Sequence, residues 1–327
     1  MNMRRIFCLT LLLVLALTLS APMRSASAWS NNVRIKEFSI PTANSGDFNI
    51  TAGPDGNVWF VEVDANKIAR ITHGGTITEF PIPTANSQSF GITAGPDGAL
   101  WFTESATNKI GRITTRGAFT EFPIPTTNST PVSITAGPDE KLWFTEATAN
   151  KIGRITTRGA FTEFPVPTAN STPVGITAGP DEKLWFTEAD GNQIGRITTT
   201  GAFTEFPVLT PNSGPNRITA GPDGKLWFTE TDVNKIGRIT THGTVTEFPT
   251  PTANSIPIFI TAGPDGAVWF TEAAANNIGR ITPRGAFTEF PIPTANSFPI
   301  GITTGPDENL WFTEHDANQI GRLTPDD

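Results

Sequence analysis

The feature that most constrains this chain is a 42-residue repeat, each copy marked by a Trp-Phe pair. The pair recurs seven times without insertion or deletion, at Trp59, Trp101, Trp143, Trp185, Trp227, Trp269 and Trp311. A period in the low forties with several short strands per copy is typical of propeller blades. No copy carries apolar residues at the 3.6-residue spacing of a helix, which excludes a helical solenoid. The repeat therefore predicts an all-β fold, a seven-bladed β-propeller of four-stranded blades.

One copy shows how a blade is predicted to form. Residues 91–95, 99–104, 109–115 and 118–124 are short segments separated by turn residues, and we predict them as strands a, b, c and d. A Gly-Pro-Asp-Gly segment at 95–98 joins a to b and has the chemistry of a type I turn. Glutamate replaces the last Gly in three copies, at Glu140, Glu182 and Glu308. Because this position favours Gly without requiring positive φ, we expect those turns to form with glutamate as well.

The two ends of the chain predict that the ring closes on itself. A d-like segment, Val33 to Phe38, precedes the first complete copy, and the last copy stops near Leu323 without a strand d. The N-terminal segment is therefore predicted to complete the last blade. Such pairing removes the open sheet edge that would otherwise invite aggregation.

Residues 1–28 have the pattern of a cleavable signal peptide. Two arginines at 4–5 precede an apolar stretch at 6–19, and the small residues at 26–28 fit a signal peptidase site. Cleavage there leaves 29–327 as a single propeller domain of a protein secreted to the extracellular or periplasmic space. The apolar stretch is shorter than the roughly 20 residues of a membrane-spanning helix, and no later stretch comes close. We therefore expect no membrane insertion after cleavage.

Composition narrows the partners of the mature chain. Cleavage leaves 20 Lys and Arg against 31 Asp and Glu, a net charge of −11. This sign repels phosphate backbones, so no nucleic acid is expected as a partner. The only cysteine, Cys8, lies in the predicted signal, which excludes a disulfide or a cysteine metal site. A monomer that binds a small molecule or another extracellular ligand is the expectation.

Antiparallel strand order places the b–c and d–a connections on one face of the disc, which we call the mouth. The copies differ most just before strand a, where they read Asp47-Phe48-Asn49, Ser89-Phe90-Gly91, Pro131-Val132-Ser133, Pro173-Val174-Gly175, Pro215-Asn216-Arg217, Pro257-Ile258-Phe259 and Pro299-Ile300-Gly301. Divergence of near-identical copies at one rim suggests a ligand surface. Neutral drift in exposed loops explains the pattern equally well.

A ring of acids follows strand b at the same face, namely Glu62, Glu104, Glu146, Glu188, Glu230, Glu272 and Glu314. Carboxylate oxygens are ligands for magnesium or another divalent cation, and Glu314, Glu272 and Glu62 are the candidates. Alternatively, each Glu pairs with the Arg eight residues later on strand c, as in Glu62 with Arg70. The sequence leaves both interpretations open.

His315 is the one histidine predicted to lie at the mouth. It directly follows Glu314 and precedes Asp316, where other copies place Val, Ser, Ala or Thr. Two carboxylates beside a histidine favour its protonated form, which makes His315 a candidate catalytic residue. An exposed loop residue is the alternative interpretation.

The repeat closely resembles one known family. Residues 175–181 (GITAGPD), 184–188 (LWFTE) and 194–198 (IGRIT) are similar to the virginiamycin B lyase, or streptogramin lyase, family, and the resemblance covers residues 33–327. It implies a seven-bladed propeller and a carbon–oxygen lyase that opens the ring of streptogramin B antibiotics. Members eliminate across the ester linkage with a magnesium ion and a histidine base.

The chain departs from the family at the residues to which the resemblance assigns the chemistry. The family carries a Pro-His dipeptide just before strand a in each of the last two blades, where this chain has Ile258 and Ile300 after the prolines. A magnesium-binding Glu precedes the second dipeptide in the family, and Phe298 stands there here. The nearest counterpart of the family's other metal-binding Glu is Glu314.

Two hypotheses follow from this departure. The first is a propeller of this family that no longer catalyses the elimination and binds a ligand through its varied rim. The second is an active magnesium-dependent lyase with a rebuilt site. A β-elimination needs a group that takes a proton near neutral pH, and isoleucine cannot. The missing histidines therefore favour the first hypothesis.

Overall fold

The computed structural model describes residues 33–325, which form seven four-stranded antiparallel sheets. The predicted signal segment lies outside these residues. Neighbouring sheets contact each other through their first strands, which form a closed ring around a central channel. The predicted all-β, seven-bladed propeller is confirmed.

Each blade runs from strand a at the channel to strand d at the rim. The a strands are β2 (Asp47–Ala52), β6 (Ile92–Ala94), β10 (Pro131–Ala136), β14 (Pro173–Ala178), β18 (Pro215–Ala220), β22 (Pro257–Ala262) and β26 (Pro299–Thr304). The b strands are β3 (Val58–Glu62), β7 (Ala99–Glu104), β11 (Leu142–Glu146), β15 (Leu184–Glu188), β19 (Leu226–Glu230), β23 (Val268–Glu272) and β27 (Leu310–Glu314).

The outer half of each blade consists of strands c and d. The c strands are β4 (Lys67–Ile71), β8 (Lys109–Thr114), β12 (Lys151–Ile155), β16 (Gln193–Ile197), β20 (Lys235–Ile239), β24 (Asn277–Ile281) and β28 (Gln319–Pro325). The d strands are β1 (Val33–Ser39), β5 (Ile77–Pro81), β9 (Phe119–Pro123), β13 (Phe161–Pro165), β17 (Phe203–Pro207), β21 (Val245–Pro249) and β25 (Phe287–Pro291). One 3₁₀ turn, Thr231–Val233, is the only helical element of the described part, and no helix there could cross a membrane.

The last blade is completed by the N-terminal strand, as predicted. Strand β1 pairs antiparallel with β28, from Val33 opposite Pro325 to Ser39 opposite Gln319. A side-chain bond across the same junction joins the Asn318 carboxamide oxygen to the Ser45 amide, at 2.8 Å. The two ends of the chain therefore hold one blade together, and β28 has no free edge.

The repeated tryptophan is the centre of each blade's packing, and the fourth blade shows the arrangement. Trp185 is fully buried and stacks on Phe206 of strand d, with ring centroids 5.5 Å apart. Its indole nitrogen donates to Asp181 of the a–b turn at 2.8 Å. A Cβ at Gly179 would lie 2.4 Å from the indole. The Gly-Pro-Asp turn therefore admits the ring and satisfies its one polar atom.

The a–b turns with glutamate form as predicted, but the premise that they need no positive φ is wrong. Glu140, Glu182 and Glu308 each have φ of 57°, in the left-handed region. The Glu140 amide donates to Gly137, whose own amide donates to Lys141. A type I turn continued by one left-handed residue returns the chain into strand b in register. The hairpin geometry requires a left-handed residue at this position, so glutamate adopts a backbone conformation that favours Gly.

A threonine on strand b joins consecutive blades. The Thr187 hydroxyl accepts a bond from the Gly175 amide at 2.8 Å and donates to the Asn216 carbonyl of the next blade at 2.6 Å. The same pair of bonds is formed at Thr103, Thr145, Thr229, Thr271 and Thr313. The first blade carries Val61 at this position. Six junctions therefore have this polar connection and one does not.

Candidate functional site at the mouth

Six of the seven a strands begin with a β-bulge. In β22, for example, the register with strand b shifts between Pro257 and Ile260. The two residues inside each shift are the ones that vary most between copies. Bulges re-aim side chains and are frequent beside functional sites. This backbone irregularity, which the repeat pattern does not reveal, directs the variable residues toward the channel and the mouth.

A cleft of about 320 Å³ opens at the mouth over the seventh, first and second blades. Its apolar lining comes from d–a and b–c segments, as predicted for one shared face: Phe48, Val63, Phe90, Phe298 and Ile300. Asp64, Gln88 and His315 supply its polar atoms. Phe48 and Phe90 meet edge to face, with centroids 5.2 Å apart. The mouth therefore offers an aromatic surface beside a few polar groups, which is the usual character of a small-molecule site.

Of the two isoleucines at the family's histidine positions, Ile300 lines this cleft and Ile258 packs against the adjoining apolar cluster. Ile300 is buried and Ile258 is half-buried, and both belong to a cluster with Phe48 and Phe298. Their backbone carbonyls accept the inter-blade threonine bonds, at 2.9 Å for Ile258 and 2.8 Å for Ile300. Neither side chain offers an atom that exchanges a proton.

Phe298 has φ of 51°, in the left-handed region. The equivalent residues of all the other blades also have positive φ, and two of them are Gly46 and Gly214. The conformation therefore belongs to the repeat. Neighbouring Ile256 shares it and is exposed. The left-handed conformation is unfavourable for a bulky apolar side chain. Phe298 and Ile256 at the rim are therefore consistent with a surface that contacts a ligand.

His315 lies just beyond the end of β27, in the turn that follows Glu314. Its Nδ1 is 3.0 Å from the Asp47 carbonyl oxygen. Since a carbonyl only accepts, Nδ1 donates and Nε2 remains for another partner. His315 lines the 320 Å³ cleft and a second one of about 260 Å³ with Asp64 and Asp316. The histidine therefore lies at the mouth, as predicted, and is half-buried.

The acid ring is buried, and the interpretation that pairs it with arginine is wrong. Every one of the seven Glu side chains is 0% exposed. In the first blade, Glu62 lies opposite Lys67, whereas Arg70 lies opposite Trp59 and pairs with Asp55 at 3.1 Å. Side chains on a strand alternate between faces, so Trp59 and Glu62 point to opposite sides. The arginines therefore cover the tryptophans and balance the turn aspartates.

Burial raises the pKa of each acid in this ring. The pKa of Glu314 is raised to about 8, first by loss of water and then by the nearby carboxylates of Glu37 and Asp47. Glu62 is raised to about 8, by burial and then by Glu79, and Glu272 to about 7, by burial and then by Glu289. Among the described residues, no donor lies within hydrogen-bonding geometry of either carboxylate oxygen of these three acids.

The three predicted metal ligands do not gather around one point. Each Glu lies inside its own blade, beside an acid of that blade's strand d. Within residues 33–325, no three His, Cys, Asp or Glu side chains are arranged to hold an ion. Phe298 supplies no oxygen at the position where the resemblance implies the second ligand. The residues here do not fit the family's magnesium ion, and metal binding stays a prediction.

Asp47 is a residue of the mouth that the sequence reasoning did not single out. It is fully buried, its carboxylate oxygens have no partner, and burial raises its pKa to about 7. His315 opposes that increase, while Asp316 adds to it. The sequence carried one signal for this residue. The first copy has an acid at a position where five copies carry Pro and one carries Ser.

Comparison with known proteins identifies the family to which the fold is similar. The sequence profile of the Virginiamycin B lyase family matches residues 25–213 and 177–327. A virginiamycin B lyase from Saccharopolyspora erythraea is 43% identical over 51 residues, which is 16% of this chain and 17% of that protein. The crystal structure of virginiamycin B lyase from Staphylococcus aureus is 45% identical, covers 89% of this chain and 99% of its own, and superposes with a TM-score of 0.86. A catalytically inactive variant of that enzyme, solved with quinupristin, matches with the same figures.

Proposed function

The chain belongs to the virginiamycin B lyase family, and from that premise we propose that it is a ligand-binding propeller that does not catalyse the family's elimination. The single observation that carries this proposal is the apolar cluster that contains Ile258, Phe298 and Ile300. These side chains stand where the resemblance implies two histidines and a metal-binding Glu. Acid–base groups in position are typically worth ~10² to 10⁴ in rate, and an isoleucine supplies none of it.

The cleft at the mouth defines the chemistry of the proposed ligand. Its walls are aromatic and aliphatic, and its polar atoms come from Asp64, Gln88 and His315. A molecule with a large apolar or aromatic face and a few hydrogen-bonding groups suits such a lining. Cyclic peptides of the streptogramin B class have that character, and quinupristin is therefore the probe of choice.

The test combines binding and turnover of quinupristin. We expect calorimetry to detect saturable binding, and mass spectrometry to detect no magnesium-dependent ring opening above a buffer control. Phe298→Thr, which installs the residue of the third and fourth blades, should weaken binding by about tenfold, because it removes most of a buried aromatic contact. Ile256→Thr is the matched control, since it occupies the same left-handed position one blade away and does not line the cleft.

Chelator-sensitive ring opening by the wild-type protein would overturn this proposal and support the alternative, a rebuilt magnesium-dependent lyase. One observation favours that alternative: His315 lines the cleft and has Nε2 without a protein partner. His315→Gln should then abolish the ring opening, because glutamine cannot take a proton near neutral pH.

Magnesium or another divalent cation is a separate proposal. Calorimetry with magnesium, calcium and manganese on the wild type and on Glu314→Gln tests it, because Glu314 is the one predicted ligand that also borders the histidine. Binding that disappears in the variant supports a site at Glu314. No binding to the wild type, or equal binding to both proteins, eliminates it.

Secretion and a monomeric state complete the proposal. The arginine pair at 4–5, the apolar stretch at 6–19 and the small residues at 26–28 support export. N-terminal sequencing of the protein recovered outside the cytoplasm should begin at residue 29, and light scattering should give the mass of one chain. A protein retained inside the cell with residue 1 intact would contradict the signal prediction.

A further inference from the structure

We propose that the central channel binds a small carboxylate anion at Arg217. This residue belongs to β18 and lies inside the bulge of the fifth blade, between Pro215 and Ile218. The other copies carry Asn, Gly, Ser or Phe at the same position. Only 8% of Arg217 is exposed. The long cationic side chain of Arg217 is therefore buried among the a strands, in a protein whose net charge is negative.

The guanidinium of Arg217 has no anionic partner among the residues that the structure describes. Its Nε and Nη1 are buried without a hydrogen bond, and within residues 33–325 no carboxylate forms a salt bridge with it. Burial lowers the pKa of Arg217 to about 10, and burial is the only cause of that shift. An isolated buried charge is costly unless a counter-charge accompanies it. A bound anion would supply that counter-charge together with acceptors for the unpaired nitrogens.

One aromatic ring borders the guanidinium of Arg217, and it begins a row of aromatic contacts. The Cζ atom of Arg217 lies 4.5 Å from the centre of the Phe259 ring. Phe259 meets Phe48 edge to face at 5.7 Å, and Phe48 in turn meets Phe90. These contacts form a continuous row from the fifth blade to the second, across the innermost strands. A cation at the end of an aromatic row recognises a molecule that is both planar and anionic.

The charge and shape of the surroundings select the class of anion. One arginine neutralises one negative charge, so a monovalent anion fits better than a phosphate dianion. A carboxylate matches the planar fork of a guanidinium. An aromatic carboxylate would in addition pack its ring beside Phe259. Arg217 is not among the residues that line the mouth cleft, although the aromatic row reaches that cleft at Phe48 and Phe90.

The experiment titrates benzoate, acetate and chloride separately into the mature protein at constant ionic strength, in a buffer free of other carboxylates and halides. Calorimetry should show one benzoate site per chain, with acetate weaker and chloride weakest. Arg217→Ser installs the residue of the third blade and should weaken benzoate binding by about tenfold or more, because a charge-assisted pair is lost. Arg158→Thr is the control, since it removes an exposed arginine and installs the residue found at the equivalent turn of the fourth blade. Its benzoate affinity should equal that of the wild type.

Three results would overturn the proposal: no saturable benzoate binding to the wild type, equal affinity in Arg217→Ser, or a site that takes chloride and no carboxylate. If the serine variant does not fold, Arg217→Lys decides, because it keeps the charge and loses the planar fork. The lysine variant should bind benzoate measurably more weakly than the wild type, and equal affinity would overturn the proposal. Quinupristin binding to the same variants separates this inference from the proposed function, since the mouth cleft retains all of its residues.

Discussion

Thr313 of the last blade donates a hydrogen bond of 2.8 Å to the carbonyl oxygen of Phe48 in the first blade. The bond that joins successive blades therefore also joins the two ends of the chain. The ring is closed by this inner contact as well as by the outer pairing of β1 with β28. The inner bond ends on Phe48, which lines the cleft that we propose as the ligand site, so this closing contact also positions one wall of the site.

Replacing an inter-blade threonine should weaken the ring. Thr187→Val keeps the shape of the side chain and removes both of its bonds, at 2.8 and 2.6 Å. We expect the free energy of unfolding to fall by about 1–3 kcal/mol, because a buried amide and a buried carbonyl lose their partner. Urea denaturation measures the change. Thr200→Val, in an exposed turn, is the control and should alter stability by less than about 0.5 kcal/mol; equal losses would contradict this role of Thr187.

Deleting residues 33–39 should cause unfolding or self-association. Without β1, the last blade keeps three strands and exposes the edge of β28. Unpaired edges recruit other chains. Light scattering and thermal melting measure the outcome, with deletion of residues 29–32, which leaves β1 intact, as the control. A truncated protein that stays monomeric and melts at the wild-type temperature would refute the closure argument.

Glycine should stabilise the turns that contain glutamate. Glu182 has φ of 57°, and Gly224 at the same position of the next blade has φ of 70°. Glu182→Gly should raise the free energy of unfolding by about 1 kcal/mol, because the left-handed conformation costs a side-chain-bearing residue that much. The reverse change, Gly224→Glu, should lower it by a similar amount, since no atom lies within 4 Å of the added Cβ. Denaturant melts measure both free energies of unfolding. If Glu182→Gly lowered this free energy and Gly224→Glu raised it, the side-chain contacts of glutamate would outweigh the backbone cost.

Stability should decrease as the pH rises from about 5 to about 8. The pKa of buried Glu188 is raised from 4.5 to about 7, chiefly by burial. An acid with a raised pKa in the folded state stabilises it below the unfolded pKa, and this contribution is lost as the pH rises through the folded value. The melting temperature should therefore be higher at pH 5 than at pH 8. Below about pH 4 the turn aspartates, whose pKa values are lowered, reverse the trend, as for Asp181.

Glu188→Gln isolates one member of the ring. Glutamine mimics the protonated acid and cannot ionise, so the slope of melting temperature against pH should become shallower. Glu182→Gln, an exposed acid, should leave the slope unchanged. A wild-type protein that is more stable at pH 8 than at pH 5 would contradict the assignment of neutral acids to the ring.

The sequence by itself determined the scaffold. A 42-residue period, the Trp-Phe pairs and the stray segment before the first copy specified seven blades and the pairing of β1 with β28, because periodic apolar segments of fixed length leave no other way to bury their faces. The resemblance at residues 175–198 identified the family, and the isoleucines at 258 and 300 marked the departure from it.

Only the tertiary structure decided what surrounds each polar group. Glu62 was open to pairing with Arg70, and strand alternation with the observed register placed them on opposite faces. The unpaired guanidinium of Arg217 depends on which side chains the bulges turn into the channel, and a repeat pattern does not encode a one-residue register shift. Blade architecture follows from local patterns repeated along the chain. The site follows from contacts between blades that are far apart in sequence, and the ring brings those blades together.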